Sequence, residues 1–532
     1  MGSIDGSRKN ILFMIADDLG KCLGCYGAKG LQTPNIDKLA ANGTVFDLAF
    51  TSTASCSASR TVMYTGLHPH ENGQYGLAGG TSHFQSFDHI QSAPTLFNAL
   101  GYQTGIVGKV HVGPAHVFPW VSRDESETRN VAWVAERAEA FFERANETKR
   151  PFFLTVGYVD PHRDITTRSG FGNGETCDGQ FVAPNFQPEQ VEIPPWLTDL
   201  PETRIEYVEY YKAISRLDYG VGLVLDALER KGLASSTLVV LCSDNGPPFI
   251  NSKTTLYDAG TQLPFIVRLP GSSRSGTRNP NMISYIDILP TFLAWAGAPL
   301  EFCAPIEVEA PKGQVWTRET RPPPPPRRLG RSFLHIIGCS DILPEEQWQH
   351  KVYGSHTFHE IANYWPTRVV RNRRFKYHRN IAWQLDFPFA SDLYASLTLE
   401  GVRKNHNHNH NHQEEGADVL IGARSLRQYV RRPAEELYDL ESDPVEVCNL
   451  VDQPEHAALL AQMRHECESW QEETQDPWLL RDGQSVMALR RYAGEKLEMP
   501  TSFDFVLDSA VMGGLERYRV DDPRLVQTVQ RT

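Results

Sequence analysis

The sequence predicts an α/β protein: a large, mostly parallel central sheet flanked by helices, followed by a smaller C-terminal part with an antiparallel sheet. Three observations carry this. Near-continuous apolar runs of strand length, Asn10 to Ala16, Pro151 to Tyr158 and Leu238 to Cys242, read as strands buried on both faces. Segments of helical spacing alternate with them, above all Val131 to Ala145 and Glu206 to Lys231. After Pro299 the composition changes, with a proline run over 322–326 and then an Arg-rich alternation from Arg368 to His378 that reads as one strand of a second sheet. A chain of 532 residues is long enough for both parts. The expected division is a main α/β domain over 1–304, a Pro-rich connection over 305–331, a smaller α+β domain over 332–480 and a tail over 481–532.

Each element has its own reason. The first strand ends in Asp17-Asp18-Leu19-Gly20. Thr33-Pro34 opens a helix, with Thr33 as N-cap, Pro34 in the first turn and Ile36, Leu39 and Ala40 on one side, and Asn42-Gly43 stops it. A short apolar piece, Val45 to Phe50, leads to Cys56, and a helix begins just after it and runs out near Gly66. Thr104 to Val107 is a further short strand, followed by Lys109 and His111. The strand at 151–158 delivers Asp160 and His162, and the strand at 238–242 delivers Asp244 and Asn245. Between them the helix from Glu206 repeats apolar residues at three- and four-residue steps until Gly232. The Asn/His repeat over 406–412 reads as a flexible surface insertion.

Composition removes several function classes. Hydrophobic content of 40% and charged content of 22% are ordinary for a globular protein, and no apolar run is long enough to cross a bilayer. A net charge of −13 argues against nucleic acid as partner, so an anionic substrate needs a local basic pocket. The N-terminus is short and polar, without the apolar centre of a secretory signal, and nine scattered cysteines form no disulfide framework. The expected location is therefore the cytoplasm, with no membrane partner. Cys22 and Cys25 form a C-x-x-C pair, but no second pair completes a zinc site.

Chemistry gathers at strand ends. In parallel α/β sheets the ligand crevice lies at the carboxyl ends of the strands. Four predicted strands release polar groups there: Asp17 with Asp18, Lys109 with His111, Asp160 with His162, and Asp244 with Asn245. Three carboxylates and an amide oxygen form an all-oxygen set that suits Ca²⁺ or Mg²⁺ rather than Zn²⁺. Cys56 and Arg60, four residues apart at a helix start, put a nucleophile beside a cation where amides and the helix dipole favour an anion.

Cys56-Ser57-Ala58-Ser59-Arg60, with these strand-end residues in this order, resembles the type I sulfatases of the alkaline-phosphatase-like superfamily. Glu436-Leu437-Tyr438-Asp439-Leu440 resembles the family's C-terminal signature, and the likeness runs from about residue 10 to about residue 480. Within the family the chain is most similar to the sulfamidases, which remove sulfate from the amino group of glucosamine; Gly108-Lys109-Val110-His111 and His359-Glu360 carry this likeness. One departure is Ala58, where the animal enzymes have Pro.

The resemblance implies an alkaline-phosphatase-like fold and a sulfatase that hydrolyses a sulfamate or sulfate ester, such as that of N-sulfoglucosamine. Cys56 becomes formylglycine through a dedicated generating system, and its hydrate supplies the nucleophile. Asp17, Asp18, Asp244 and Asn245 hold a divalent cation, Ca²⁺ ahead of Mg²⁺, together with the modified Cys56. Arg60, Lys109 and Lys253 neutralise the sulfuryl group, His162 or Lys253 protonates the leaving group, and His111 helps to expel sulfate. Asp160, His359 and Glu360 read the organic part of a small sulfated substrate. Two other readings stay open: a phosphodiesterase or phosphonate monoester hydrolase of the same superfamily, and a non-catalytic anion binder if Cys56 stays a thiol. A homodimer is compatible with all of them.

Overall fold

The computed structural model describes residues 9–493 apart from 176, 299–312, 314, 316–325, 411–418 and 482. The main sheet contains β1 (Asn10–Ala16), β2 (Thr44–Phe50), β3 (Gln103–Gly108), β4 (Ser122–Glu125), β5 (Phe152–Gly157), β6 (Thr237–Ser243), β7 (Phe265–Arg268) and β8 (Thr277–Ser284). Their order across the sheet is β4-β3-β5-β1-β6-β7-β2-β8. Only β7 runs against its neighbours; the other pairs are parallel. The strands carrying the four predicted polar ends, β3, β5, β1 and β6, therefore lie side by side.

Side chains alternate between the two faces of a strand. On β1, Leu12 and Met14 enter one core while Ile11, Phe13 and Ile15 enter the other. The helices before the second sheet include α1 (Pro34–Ala41), α2 (Cys56–Thr65), α3 (Pro69–Asn72), α4 (Ala93–Ala99), α5 (Val131–Thr148) and α6 (Pro201–Arg230). Apolar stripes of α1, α5 and α6 cover the first face, and those of α2, α4 and Ile288–Ala296 cover the second. Among the described residues, no helix is long and apolar enough to cross a membrane.

The second sheet consists of β9 (Lys351–Phe358), β10 (Tyr364–Asn372), β11 (Phe375–Asn380) and β14 (Glu435–Asp439), while β12 (Leu420–Ile421) and β13 (Arg424–Ser425) pair separately. All its pairings are antiparallel. Helix Ala457–Glu473 lays Leu460, Met463 and Cys467 against Val370, Tyr377 and Leu437.

Several expectations need correction. The single strand expected over 368–378 is two, because Asn372 Oδ1 accepts from Arg374 N at 2.9 Å and Phe375 N at 2.7 Å and turns the chain. The long helix starts at Pro201 rather than Glu206, since proline is well suited to a first turn. The Thr33 hydroxyl does not cap α1: it donates to Asp37 Oδ1 at 3.1 Å and accepts from Gly24 N at 3.0 Å. Helix Leu397–His410 extends into the Asn/His repeat, which was expected to be flexible. Residues 411–412 of that repeat, most of the Pro-rich connection and the tail beyond 493 lie outside the described residues.

The edge strand β9 holds the segment that leads into α2. Ser355 N donates to Ser52 O at 2.7 Å, and His356 Nδ1 lies 3.0 Å from Thr53 Oγ1. His70 bridges Ser355 Oγ at 2.8 Å and Thr474 Oγ1 at 2.9 Å. Burial pushes His356 down to about 3 and His70 to about 4. In the unfolded chain both titrate near about 6.5, so below that pH the unfolded state binds more protons. Their contribution is whole above about pH 6.5 and is lost as pH falls toward the folded values. Urea midpoints measured from about pH 7 down to about pH 4 should fall with acidification, and His356→Gln, which cannot take up the proton, should flatten that fall.

Candidate active site

Cys56 is the first residue of α2, where the first-turn amides lack intrahelical acceptors. Its Sγ lies 3.5 Å from Asp17 Oδ1 and 3.9 Å from Asp18 Oδ1. One turn on, the buried Arg60 sends Nε to Asp244 Oδ2 at 2.8 Å, Nη2 to Asp17 Oδ2 at 3.2 Å and Nη1 to Lys109 O at 3.3 Å. Lys109 Nζ pairs with the same Asp17 oxygen. This crowding needs glycine at two strand ends: a Cβ on Gly157 would strike Lys109 O and crowd Arg60, and Gly108 takes φ +82° against Gly157 O.

Lys253 closes the other side. Its Nζ reaches Asp18 Oδ2 at 2.9 Å, Asp392 Oδ2 at 2.8 Å and His162 Nε2 at 3.2 Å. His162 Nδ1 lies 2.6 Å from Arg163 O and must donate to it, which leaves Nε2 as the acceptor for Lys253. His111, at φ +53°, keeps a buried Nδ1 without a partner. Of this inner set only His111 and His162 are partly exposed.

The charges shape one another. Burial pushes Asp18 up to about 6 and Asp244 up to about 7; Asp17 adds repulsion to both, against Lys253 and Arg60 respectively. Burial also acts on Asp17, but Lys109 foremost holds it well below the usual carboxylate range. Burial and then Asp17 push the Cys56 thiol well up, so a thiolate is disfavoured. Burial, aided by Lys253, lowers His162 to about 3, and burial with Lys109 keeps His111 well below its ordinary value. Despite burial, Asp18 and Asp392 raise Lys253.

The expected residues thus gather, with differences of position. Asp160 is not left free for a substrate: Arg216 grips both its oxygens at 2.6 and 2.7 Å, and Arg129 adds a bond of 2.9 Å. His359 faces the segment that leads into Cys56, with Nδ1 2.9 Å from Ser55 Oγ. Glu360 accepts from Ser391 Oγ at 2.8 Å, beside the short helix Ser391–Tyr394 that bears Asp392. Sequence reasoning missed Asp392, Arg129 and Arg216, none of which sits in a motif or at a strand end.

The donor set fits a cation. One ligand atom each from Asp17, Asp18, Cys56 and His162 lie within 4.8 Å of one another. Asn245 Nδ2 donates to Asp18 Oδ1 at 2.6 Å, while its Oδ1 is buried without a partner, as an oxygen ligand awaiting an ion would be. Asp244 stands one step back, with Oδ1 accepting from Asp18 N at 3.1 Å and Oδ2 taken by Arg60.

Comparison with known proteins gives the family and the fold. A human N-sulphoglucosamine sulphohydrolase is 34% identical over 501 residues, covering 90% of this chain and 93% of the relative. A putative sulfatase YidJ from Bacteroides fragilis shares the fold, with a TM-score of 0.63 at 18% identity over 90% of this chain and 98% of its own. A structure described as in complex with its substrate D-glucosamine-2-N,6-O-disulfate superposes with a TM-score of 0.58 at 18% identity, covering 88% and 99% of the two chains. The family model described as Sulfatase matches residues 9–298, and with these relatives it establishes that the chain belongs to the sulfatase family.

Proposed function

We propose that the protein hydrolyses the sulfamate of an N-sulfated glucosamine or a closely related sulfated sugar, with Cys56 converted to formylglycine and a divalent cation, Ca²⁺ ahead of Mg²⁺, in the site. The observation that carries this is the convergence of Arg60, Lys109 and Lys253 on Asp17, Asp18 and Asp244, the carboxylates gathered about Cys56 at the head of α2. The 34% identity to a sulfohydrolase of N-sulphoglucosamine supports the choice of substrate. Asp17, Asp18 and Asn245 would hold the cation, with Asp244 behind them. When present, the cation and the formylglycine hydrate supply an activated hydroxyl nucleophile, a role that the suppressed thiol of Cys56 cannot fill.

The chain's own residues do the rest. Lys109 and the amides of the first turn of α2 receive the charged sulfuryl oxygens, while Arg60 fixes Asp17 and Asp244 and adds positive charge beneath them. His162 is neutral and lends its bare Nε2 to Lys253, so Lys253 is the group that holds the proton for the departing amine. Asp392 keeps Lys253 anchored while Asp18 serves the cation. Neutral His111, on the other side, is in the protonation state that a base needs.

Three outcomes are expected. Mass spectrometry of the Cys56 peptide from an active preparation should show the aldehyde or its hydrate; an unmodified thiol throughout would sink the reading. Lys253→Ala should lower kcat on a sulfamate by roughly a hundred- to ten-thousandfold, and less on an aryl sulfate, whose leaving group needs no proton. Chelation should abolish turnover and lower the melting temperature, with Ca²⁺ restoring both; a chelated protein of unchanged stability and activity would remove the metal from the proposal.

A further inference from the structure

Glu206, in the second turn of α6, is fully buried and stands outside the cluster around Cys56. Its carboxylate meets four donors from two distant parts of the chain. Oε1 accepts from Arg163 Nη1 and from Leu397 N at 3.0 Å, and Oε2 accepts from Thr398 N at 3.1 Å and Thr398 Oγ1 at 2.5 Å. That fills the roughly four lone-pair sites of a carboxylate. Nothing is left with which to bind a substrate, so the group can act only by fixing geometry.

Both sets of donors lead to Lys253. On one side, the carbonyl of Arg163 accepts from His162 Nδ1 at 2.6 Å. The Arg163 guanidinium lies over the rings of Phe171 and Phe249, 5.0 and 5.2 Å from their centroids, and its Nη2 donates to Pro248 O at 2.7 Å. Pro248 is in the loop that carries Lys253, whose own N donates to Pro247 O at 3.3 Å. On the other side, Leu397 and Thr398 open helix Leu397–His410, and Ser396 N donates to Leu393 O at 3.2 Å, joining that helix to Ser391–Tyr394, the bearer of Asp392. His162 Nε2 and Asp392 Oδ2 are two of the three side-chain partners of Lys253 Nζ, at 3.2 and 2.8 Å.

We propose that Glu206 is a positioning residue for the proton given to the leaving group. It sets His162 through Arg163 and Asp392 through residues 397–398, and these two together aim Lys253 Nζ. The proposal rests on Lys253 as the donor to the departing amine. Asp18, the third partner, would also hold the cation, so the direction of Nζ falls chiefly to the other two. A buried carboxylate that has lost its charge or its pairing with Arg163 would release both at once.

The test compares N-sulfoglucosamine, whose amine must be protonated as it leaves, with p-nitrophenyl sulfate, whose phenolate leaves without a proton. Glu206→Gln keeps the shape and removes the charge. It should lower kcat on N-sulfoglucosamine by roughly ten- to a hundredfold, the scale of a misplaced catalytic group, and clearly less on the aryl sulfate, with KM for both little changed. Added to Lys253→Ala, the same substitution should bring no further discrimination between the substrates, because its effect runs through Nζ. A merely structural role would lower both rates by one factor in either background; that result, or rates equal to those of the unaltered protein, would overturn the proposal. If the unaltered protein turns over only the aryl sulfate, or if Lys253→Ala alone does not discriminate, the reading of the site fails and the proposal falls with it. Arg163→Lys, which keeps the charge but not the planar fork, should give the same selective loss and decides the matter if Glu206→Gln does not fold.

Discussion

The structure depends on one buried guanidinium. Arg60 comes from the first turns of a helix and ends among the carboxyl ends of three strands, bonding Asp17 of β1's end, Asp244 of β6's end and the carbonyl of Lys109 after β3. Two carboxylates this deeply buried would repel one another severely without it, since a charge taken out of water must be paired and hydrogen-bonded to be tolerated. Arg60 meets that requirement with geometry as well as charge. Its planar fork fixes the angle between strand and helix, so Cys56 is positioned by an electrostatic tie between elements far apart in the sequence.

Much of this was legible in the sequence because parallel strands buried on both faces must be apolar almost throughout. Asn10 to Ala16 leaves no other reading, and polar residues that follow such runs can only lie at the crevice. Asp17, Asp18, Asp244 and Asn245 were found in that way. Asp392 was not, because its short helix is placed by tertiary packing and its spacing carries no period. Asp160 misled for the opposite reason: its position was right, but the two arginines that consume it come from a loop and from the middle of α6. β4 also escaped notice, being a four-residue polar edge strand with no apolar face to betray it. The turn between β10 and β11 was hidden inside an alternation that continued across Asn372.

The second sheet is more than an appendage to the first. Through Ser355 and His356 it grips 52–53, and through His359 it grips Ser55, immediately before Cys56. Asp392 is contributed from the same half of the chain. The site is therefore assembled late in chain order, and no fragment that ends after β8 contains all of its contacts.

The burial of Cys56, only 1% exposed, sets an order of events in the life of the chain. Once α2 has docked and β9 has closed over the approach segment, no macromolecule can reach the sulfur. Any enzyme that alters this side chain must act on a nascent or unfolded polypeptide, so its chemistry competes with the folding rate. The contacts that close the site join residues about three hundred positions apart, the kind of long-range pairing that forms slowly. The topology that seals Cys56 thus also provides the interval in which such an enzyme would have to act.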